Sequence, residues 1–195
     1  MYLDVVEVGN EIKKRLKYKI SELTERHFRI FCSPFSAQIT NAMEEFNQHN
    51  KQEYPPMHTL EHLINGTASR MWHCGRAVSA HIERKKSKLD FRMLQPPTDE
   101  QIRQLEATVN DIIAQNVPIT YEYLTQTEAM HRFDLTRLPA DASEKVRAVR
   151  IGNFDECLCI GLHVANTSEI GRLKILSSDY DSDKQLWRMR FKIEE

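Results

Sequence analysis

The sequence predicts an α+β fold, a two-layer arrangement of antiparallel sheet packed with helices. Three observations carry that expectation. Apolar stripes at helical spacing occur early, at 36–49, 58–73 and 98–116. Strand-like runs crowd the last third of the chain, at 146–151, 157–164, 171–178 and 185–193. The two kinds of segment do not alternate as βαβ units do, so a parallel sheet with crossover helices is disfavoured.

Taken in order, residues 1–35 are ambiguous between helix and strand, and SAQITNAMEEFNQH at 36–49 reads as an amphipathic helix. NKQEYPPM at 50–57 is the clearest break, because two prolines stop a helix from running through it. The expected division is therefore a lead-in over 1–50, packed on the core, and a main domain over 51–195. HTLEHLINGTASRMWH places Leu60, Leu63, Ile64, Ala68 and Met71 on one helical stripe, which Gly66 weakens without ending. RAVSAHIERKKSKLDFRM reads as two short strands around a charged turn. At 98–116, Thr98 with Gln101 makes a capping box after Pro96–Pro97, and Ile102, Leu105, Val109, Ile112 and Ile113 form a buried stripe. PITYEYL at 118–124 is a strand, and 125–145 is irregular with one short helix. In the last strand Trp187, Met189, Phe191 and Ile193 face one way, with Arg188, Arg190 and Lys192 opposite.

Composition narrows the function. With 195 residues, 41% hydrophobic and 28% charged, the chain resembles an ordinary globular protein of one domain plus a lobe. No run approaches ~18 apolar residues, the length of a membrane span. The N-terminus shows no basic-then-apolar secretory pattern, so a cytoplasmic location is expected, with the four cysteines reduced. A net charge of −1 excludes a globally basic nucleic-acid binder. Local basic patches remain, KKRLKYK at 13–19 and RKKSK at 84–88, each of which is by itself a solvated charged face.

The chemistry concentrates in two pairs. His58 and His62 in HTLEH lie one helical turn apart and can direct two imidazoles to one ion, although two ligands make half a site. The same residues spell H-x-x-E-H, the inverted zinc-peptidase motif, with Glu61 as a candidate general base or a solvated helix residue. Downstream, CLCIGLHV holds Cys159 and His163, again four apart, in a strand-like run that Gly161 allows to bend. Alone, Cys159 reads as a buried apolar cysteine and His163 as a satisfied core histidine. Together with the helical pair they make one thiolate and three imidazoles, a zinc-type donor set. Cys74 and Cys157 are alternative ligands or packing residues.

At these residues the chain resembles the second additional domain of alanyl- and threonyl-tRNA synthetases, and more closely the free-standing AlaX-type editing proteins. HTLEH and CIGLHVANTSEIG carry the resemblance, supported by KLDF at 88–91, LEATVNDII at 105–113, LP at 138–139, VRAVRIGNFDECLC at 146–159 and NTSEIGRLKI at 166–175. The similarity runs through about 57–178 and leans to the alanyl type. It implies an aminoacyl-tRNA deacylase acting in trans on mischarged seryl- or glycyl-tRNA, with Zn²⁺ held by His58, His62, Cys159 and His163. Two departures stand out. The family's CGGTH is here CIGLH, replacing a glycine with Ile160 and a threonine with Leu162. The family's QKGS is absent, and RAVSAHI stands near its place, so Ser79, His81, Gly161 and Leu162 become the candidate substrate-binding residues. Lys13, Lys14, Arg84, Lys85 and Lys86 are the candidate contacts to tRNA phosphates. The rival readings are a zinc-stabilised RNA-binding module without catalysis and an inverted-motif peptidase.

Overall fold

The computed structural model describes residues 54–136 and 144–194, all within the unit Asn50–Glu195. The expected helix at 36–49, the lead-in, Lys13, Lys14 and the LP dipeptide at 138–139 lie outside the described residues.

Helix α1 (Pro55–Trp72) begins directly on the double proline, with Tyr54 as N-cap. Proline suits the first helical positions because their N–H groups have no intrahelical partner. The helix ends at His73, which adopts a left-handed conformation (φ 52°) and donates its N–H to the Ser69 carbonyl. The stripe Leu60, Leu63, Ile64 and Ala68 is buried as expected, with Met71 at its margin. Burial extends further round than a one-sided stripe. Thr59, His62, Asn65, Gly66 and Thr67 are enclosed as well, so a second, polar face is packed against protein.

Strands β1 (Ser79–His81) and β2 (Ser87–Arg92) form the expected pair around the charged turn. Helix α2 (Asp99–Ala114) starts at Thr98 with the full reciprocal capping box to Gln101. It buries Leu105, Val109, Ile112 and Ile113, while Ile102 packs at the margin. Strand β3 (Ile119–Thr125) and the one-turn helix α3 (Gln126–Ala129) follow. Strands β4 (Lys145–Ile151) and β5 (Asp155–Leu158), a 3₁₀ turn (Thr167–Glu169), and strands β6 (Arg172–Asp181) and β7 (Leu186–Glu194) complete the order.

All pairing is antiparallel, in a four-stranded sheet β1-β2-β7-β6 and a three-stranded sheet β3-β4-β5. The α+β expectation holds. The alternation in β7 is real: Trp187, Met189 and Phe191 are fully buried, and Trp187 pairs with Phe91 across the sheet in a stacked contact at 5.5 Å. Helix α2 covers the β6 edge with side chains that imitate a strand. Asn110 bonds both the N–H and the carbonyl of Leu173, and Glu106 accepts from the Ile175 N–H. That satisfies edge groups which would otherwise be exposed to pairing with another chain.

One expected element differs. The strand read over 157–164 ends at Leu158, before the Cys159–His163 pair. The cause is Arg147 on β4, whose Nε donates to the Cys159 carbonyl (2.8 Å) and whose Nη2 donates to the Gly161 carbonyl. Those carbonyls are drawn to a side chain, and the ladder stops.

Candidate metal centre

Helix α1 supplies His58 and His62 one turn apart, and the segment after β5 supplies Cys159 and His163. One donor atom from each of the four lies within 4.8 Å of all the others. The imidazoles form a cluster, with centroids 4.3 Å apart for His58–His163, 4.6 Å for His62–His163 and 5.2 Å for His58–His62.

Each ring is held by the nitrogen facing away from the cluster. His58 Nδ1 lies 3.2 Å from the Leu162 carbonyl, which only accepts, so Nδ1 carries the hydrogen. His62 Nδ1 lies 3.1 Å from Asp155 Oδ2. His163 Nδ1 lies 3.1 Å from Thr59 Oγ1. The Thr59 hydroxyl gives its one hydrogen to the Pro55 carbonyl (2.9 Å) and accepts from the Val164 N–H (3.2 Å), so it accepts from His163 as well. In the neutral rings all three Nε2 atoms therefore carry the lone pairs, the tautomer a metal ligand needs.

That arrangement is incomplete without a cation. His163 Nε2 is buried and has no hydrogen-bond partner among the described residues. His58 Nε2 lies 3.3 Å from Cys159 Sγ, a separation that a thiol hydrogen bond or a shared cation can bridge. A buried polar atom without a partner costs free energy. One thiolate and three imidazoles suit zinc, and the residues fit the group.

The electrostatics agree. Burial pushes the Cys159 thiol up, but the imidazoles of His163, His58 and His62 outweigh it and bring it down to about 2, leaving a thiolate. Burial pushes His163 down, and His62 and His58 add to this against the opposing Cys159, giving about 4 and a neutral ring. His62 is the exception. Burial lowers it, but Asp155, Cys157 and Cys159 raise it well above its ordinary value. The cluster calls for positive charge, which a proton on His62 or a metal ion supplies.

Glu61 sits beside the cluster, with Oε2 3.8 Å from His62 Nε2. Its other oxygen, Oε1, accepts from Asn65 Nδ2, and the Asn65 amide is oriented by the Ala77 N–H donating to its Oδ1 (2.7 Å). Ile160 and Leu162 are 41% and 39% exposed and flank the ligands in sequence. Gly161 is buried beneath them, its carbonyl held by Arg147. Ser79 and His81 are exposed on the edge strand β1, and His81 bonds Glu83 (2.8 Å). No contact of theirs ties them to the cluster among the described residues. Arg84, Lys85 and Lys86 are exposed, and Arg84 stacks over the Tyr54 ring at 5.1 Å.

Four residues of the centre had no signal in the sequence: Thr59, Asn65, Arg147 and Asp155. Each acts on a partner 12 to 105 positions away, although Thr59 and Asn65 also bond Pro55 and Glu61 one turn back. A capable side chain at such a distance leaves no periodic trace.

Residues 146–190 match the family model described as the threonyl and alanyl tRNA synthetase second additional domain. Alanine–tRNA ligases are similar over more of the chain. That of Staphylothermus marinus is 29% identical over 153 residues, 75% of this chain and 16% of the ligase. That of Caldicellulosiruptor saccharolyticus is 35% identical over 123 residues, 62% of this chain and 14% of the ligase. That of Petrotoga mobilis is 34% identical over 122 residues, 61% of this chain and 14% of the ligase. This chain thus spans about one-sixth of the length of the curated relatives it matches. The resemblance carried by HTLEH and CIGLHVANTSEIG is borne out, and it is a resemblance to the editing-type second additional domain.

Proposed function

We propose that this chain, related to the second additional domain of alanyl- and threonyl-tRNA synthetases, hydrolyses the ester of a mischarged aminoacyl-tRNA in trans. The observation that carries the reading is the convergence of His58, His62, Cys159 and His163, whose inward nitrogens and sulfur lie within 4.8 Å of one another. These four would hold Zn²⁺, which when bound would help position the substrate ester, and would polarise its carbonyl if a ligand is released or the coordination expands.

The chain's own groups perform the rest. Glu61 keeps one carboxylate oxygen on Asn65 and turns the other toward the cluster. That second oxygen takes a proton from the attacking water as the water oxygen bonds to the carbonyl carbon. The bond from that carbon to the ribose oxygen then breaks, and the proton passes to the ribose oxygen, leaving a free amino acid and tRNA. Arg147 holds the Cys159 and Gly161 carbonyls so that the thiolate keeps its place. Exposed cations at Arg84, Lys85 and Lys86 would meet phosphates without reading sequence.

The amino acid removed is seryl or glycyl in this reading. Leu162 stands where the family has a hydroxyl, so recognition of serine falls to other groups, with Ser79, His81 and Gly161 as the candidates. Exposed apolar side chains at 160 and 162 also favour a second reading, a zinc-stabilised tRNA-binding module without hydrolysis. The inverted-motif peptidase is less favoured, because cysteine and histidine complete the cluster and a later carboxylate ligand does not.

The test is a deacylation panel with seryl-, glycyl-, alanyl- and threonyl-tRNA, with zinc content measured on the same protein. Faster release of serine or glycine than of alanine supports editing. Binding of tRNA with no release of any amino acid supports the second reading. Cys159→Ala and His163→Ala are expected to lose zinc and deacylation together, and retention of both in the pair would reject the metal assignment.

A further inference from the structure

We infer that Asp155 is the positioning residue that makes His62 the strongest donor of the metal centre. The inference rests on the metal-centred reading above and names a residue that reading does not need. Of the three rings, only His62 gives its outer N–H to a charged acceptor. His58 donates to a backbone carbonyl and His163 to a hydroxyl, whereas His62 Nδ1 faces Asp155 Oδ2 at 3.1 Å. A carboxylate there fixes the ring and the tautomer, and it increases electron density on the opposite nitrogen.

Three features show that the carboxylate is built into place. The Asp155 side chain is 4% exposed, on the first residue of β5. Its second oxygen is held by Arg76 Nη1 at 2.6 Å, so the carboxylate is fixed from both sides. Helix α1 reaches this close because residue 66 is glycine: a Cβ there would meet the Phe154 carbonyl oxygen, as well as Asp155 Oδ1 at 2.9 Å.

His62, Asp155 and Cys157 also offer donor atoms within 4.8 Å of one another, and so form a candidate cation site of their own. The charge argues against that use. The Arg76 guanidinium already occupies Asp155, and a second cation beside it would be repelled. His62 Nδ1 can bind a metal only by giving up its hydrogen and its bond to Asp155. The trio therefore serves the first ion through His62 and does not bind one itself.

The experiment is zinc titration of the full chain, stripped of metal, against a chromophoric chelator at fixed pH. Wild type is compared with Asp155→Asn and Asp155→Ala, and the melting of each metal-free protein is recorded. Expected is one ion per chain throughout, with affinity lowered about 10- to 100-fold in the alanine variant. The neutral acceptor in the asparagine variant should lose less. Equal affinity in all three proteins overturns the inference. So does a shift in metal-free melting with no change in affinity, which is the mark of a merely structural aspartate. Two ions per wild-type chain overturn it too. A wild type that takes up no zinc overturns the metal-centred reading itself, a distinguishable result. If the variants do not fold, imidazole nitrogen spectra of the zinc-bound wild type decide. His62 protonated at Nδ1 and bound through Nε2 supports the inference, and the opposite assignment overturns it.

Discussion

Replacing Gly66 with alanine sets two physical effects against each other. In a helix interior alanine is favoured over glycine by about 1 kcal/mol, so helix propensity alone expects a more stable protein. The structure expects the reverse. The new methyl would overlap the Phe154 carbonyl oxygen and press on Asp155 Oδ1 at 2.9 Å and Asp155 Cβ at 3.1 Å. The nearest of these is backbone, which cannot swing aside. The obstruction must be relieved by shifting α1 away from β5. Overpacking of this kind costs about 1–3 kcal/mol. Loosening of the buried His62–Asp155–Arg76 contacts adds about 1 kcal/mol, which offsets the gain in helix propensity. The net expectation is a loss of about 1–3 kcal/mol, or a fall of roughly 2–10 °C in melting temperature for a unit of this size. Thermal melting of the metal-free variant measures it. A variant that melts higher than wild type would refute the reasoning, because it would mean that the close approach of α1 to β5 does not exist.

Other outcomes follow from single contacts. Arg147→Ala removes two bonds to the Cys159 and Gly161 carbonyls and a cation–π contact to Tyr121. It should destabilise the chain by about 2–4 kcal/mol and weaken zinc binding, and Arg147→Lys should restore little, because an ammonium cannot span both carbonyls; denaturant unfolding and zinc titration read the two effects. Thr98→Ala removes the α2 capping box and should cost about 1 kcal/mol in urea unfolding, with zinc affinity unchanged. Arg188, hydrogen-bonded to Asp90, holds the Asp90 carboxyl below its ordinary 3.8, so that pair contributes stability above pH 3.8 and loses it as pH falls through the lowered native value. The stability of Asp90→Asn should therefore fall less between pH 5 and pH 2 than that of wild type, a difference that urea unfolding at several pH values resolves.

How far the sequence reached depends on whether the cause of each feature is local. The capping box at Thr98, the proline start of α1 and the alternation in β7 are local, and each appears where its pattern places it. The i, i+4 spacing of His58 with His62 is equally local, since a helix puts both on one face. The strand over 157–164 was overextended because its apolar run satisfies a strand pattern. Its termination depends on Arg147, which is on another strand and takes two carbonyls from the ladder. The same reason hid Asp155 and Thr59, whose contacts to histidine rings join segments 93 and 104 positions apart. Asn65 is oriented by the Ala77 N–H, 12 positions away, which leaves its amide nitrogen to donate to Glu61.

Cobalt substitution tests the shared centre most directly. The metal-free chain is loaded with one equivalent of Co²⁺ and its visible and near-ultraviolet absorption recorded, alongside Cys159→Ser and His163→Ala. Expected is an intense four-coordinate spectrum with one thiolate-to-cobalt band, which the serine substitution removes and the histidine substitution shifts and weakens. A wild-type spectrum without a thiolate band, or one that neither substitution changes, would contradict a metal held jointly by the helix and the bent segment after β5.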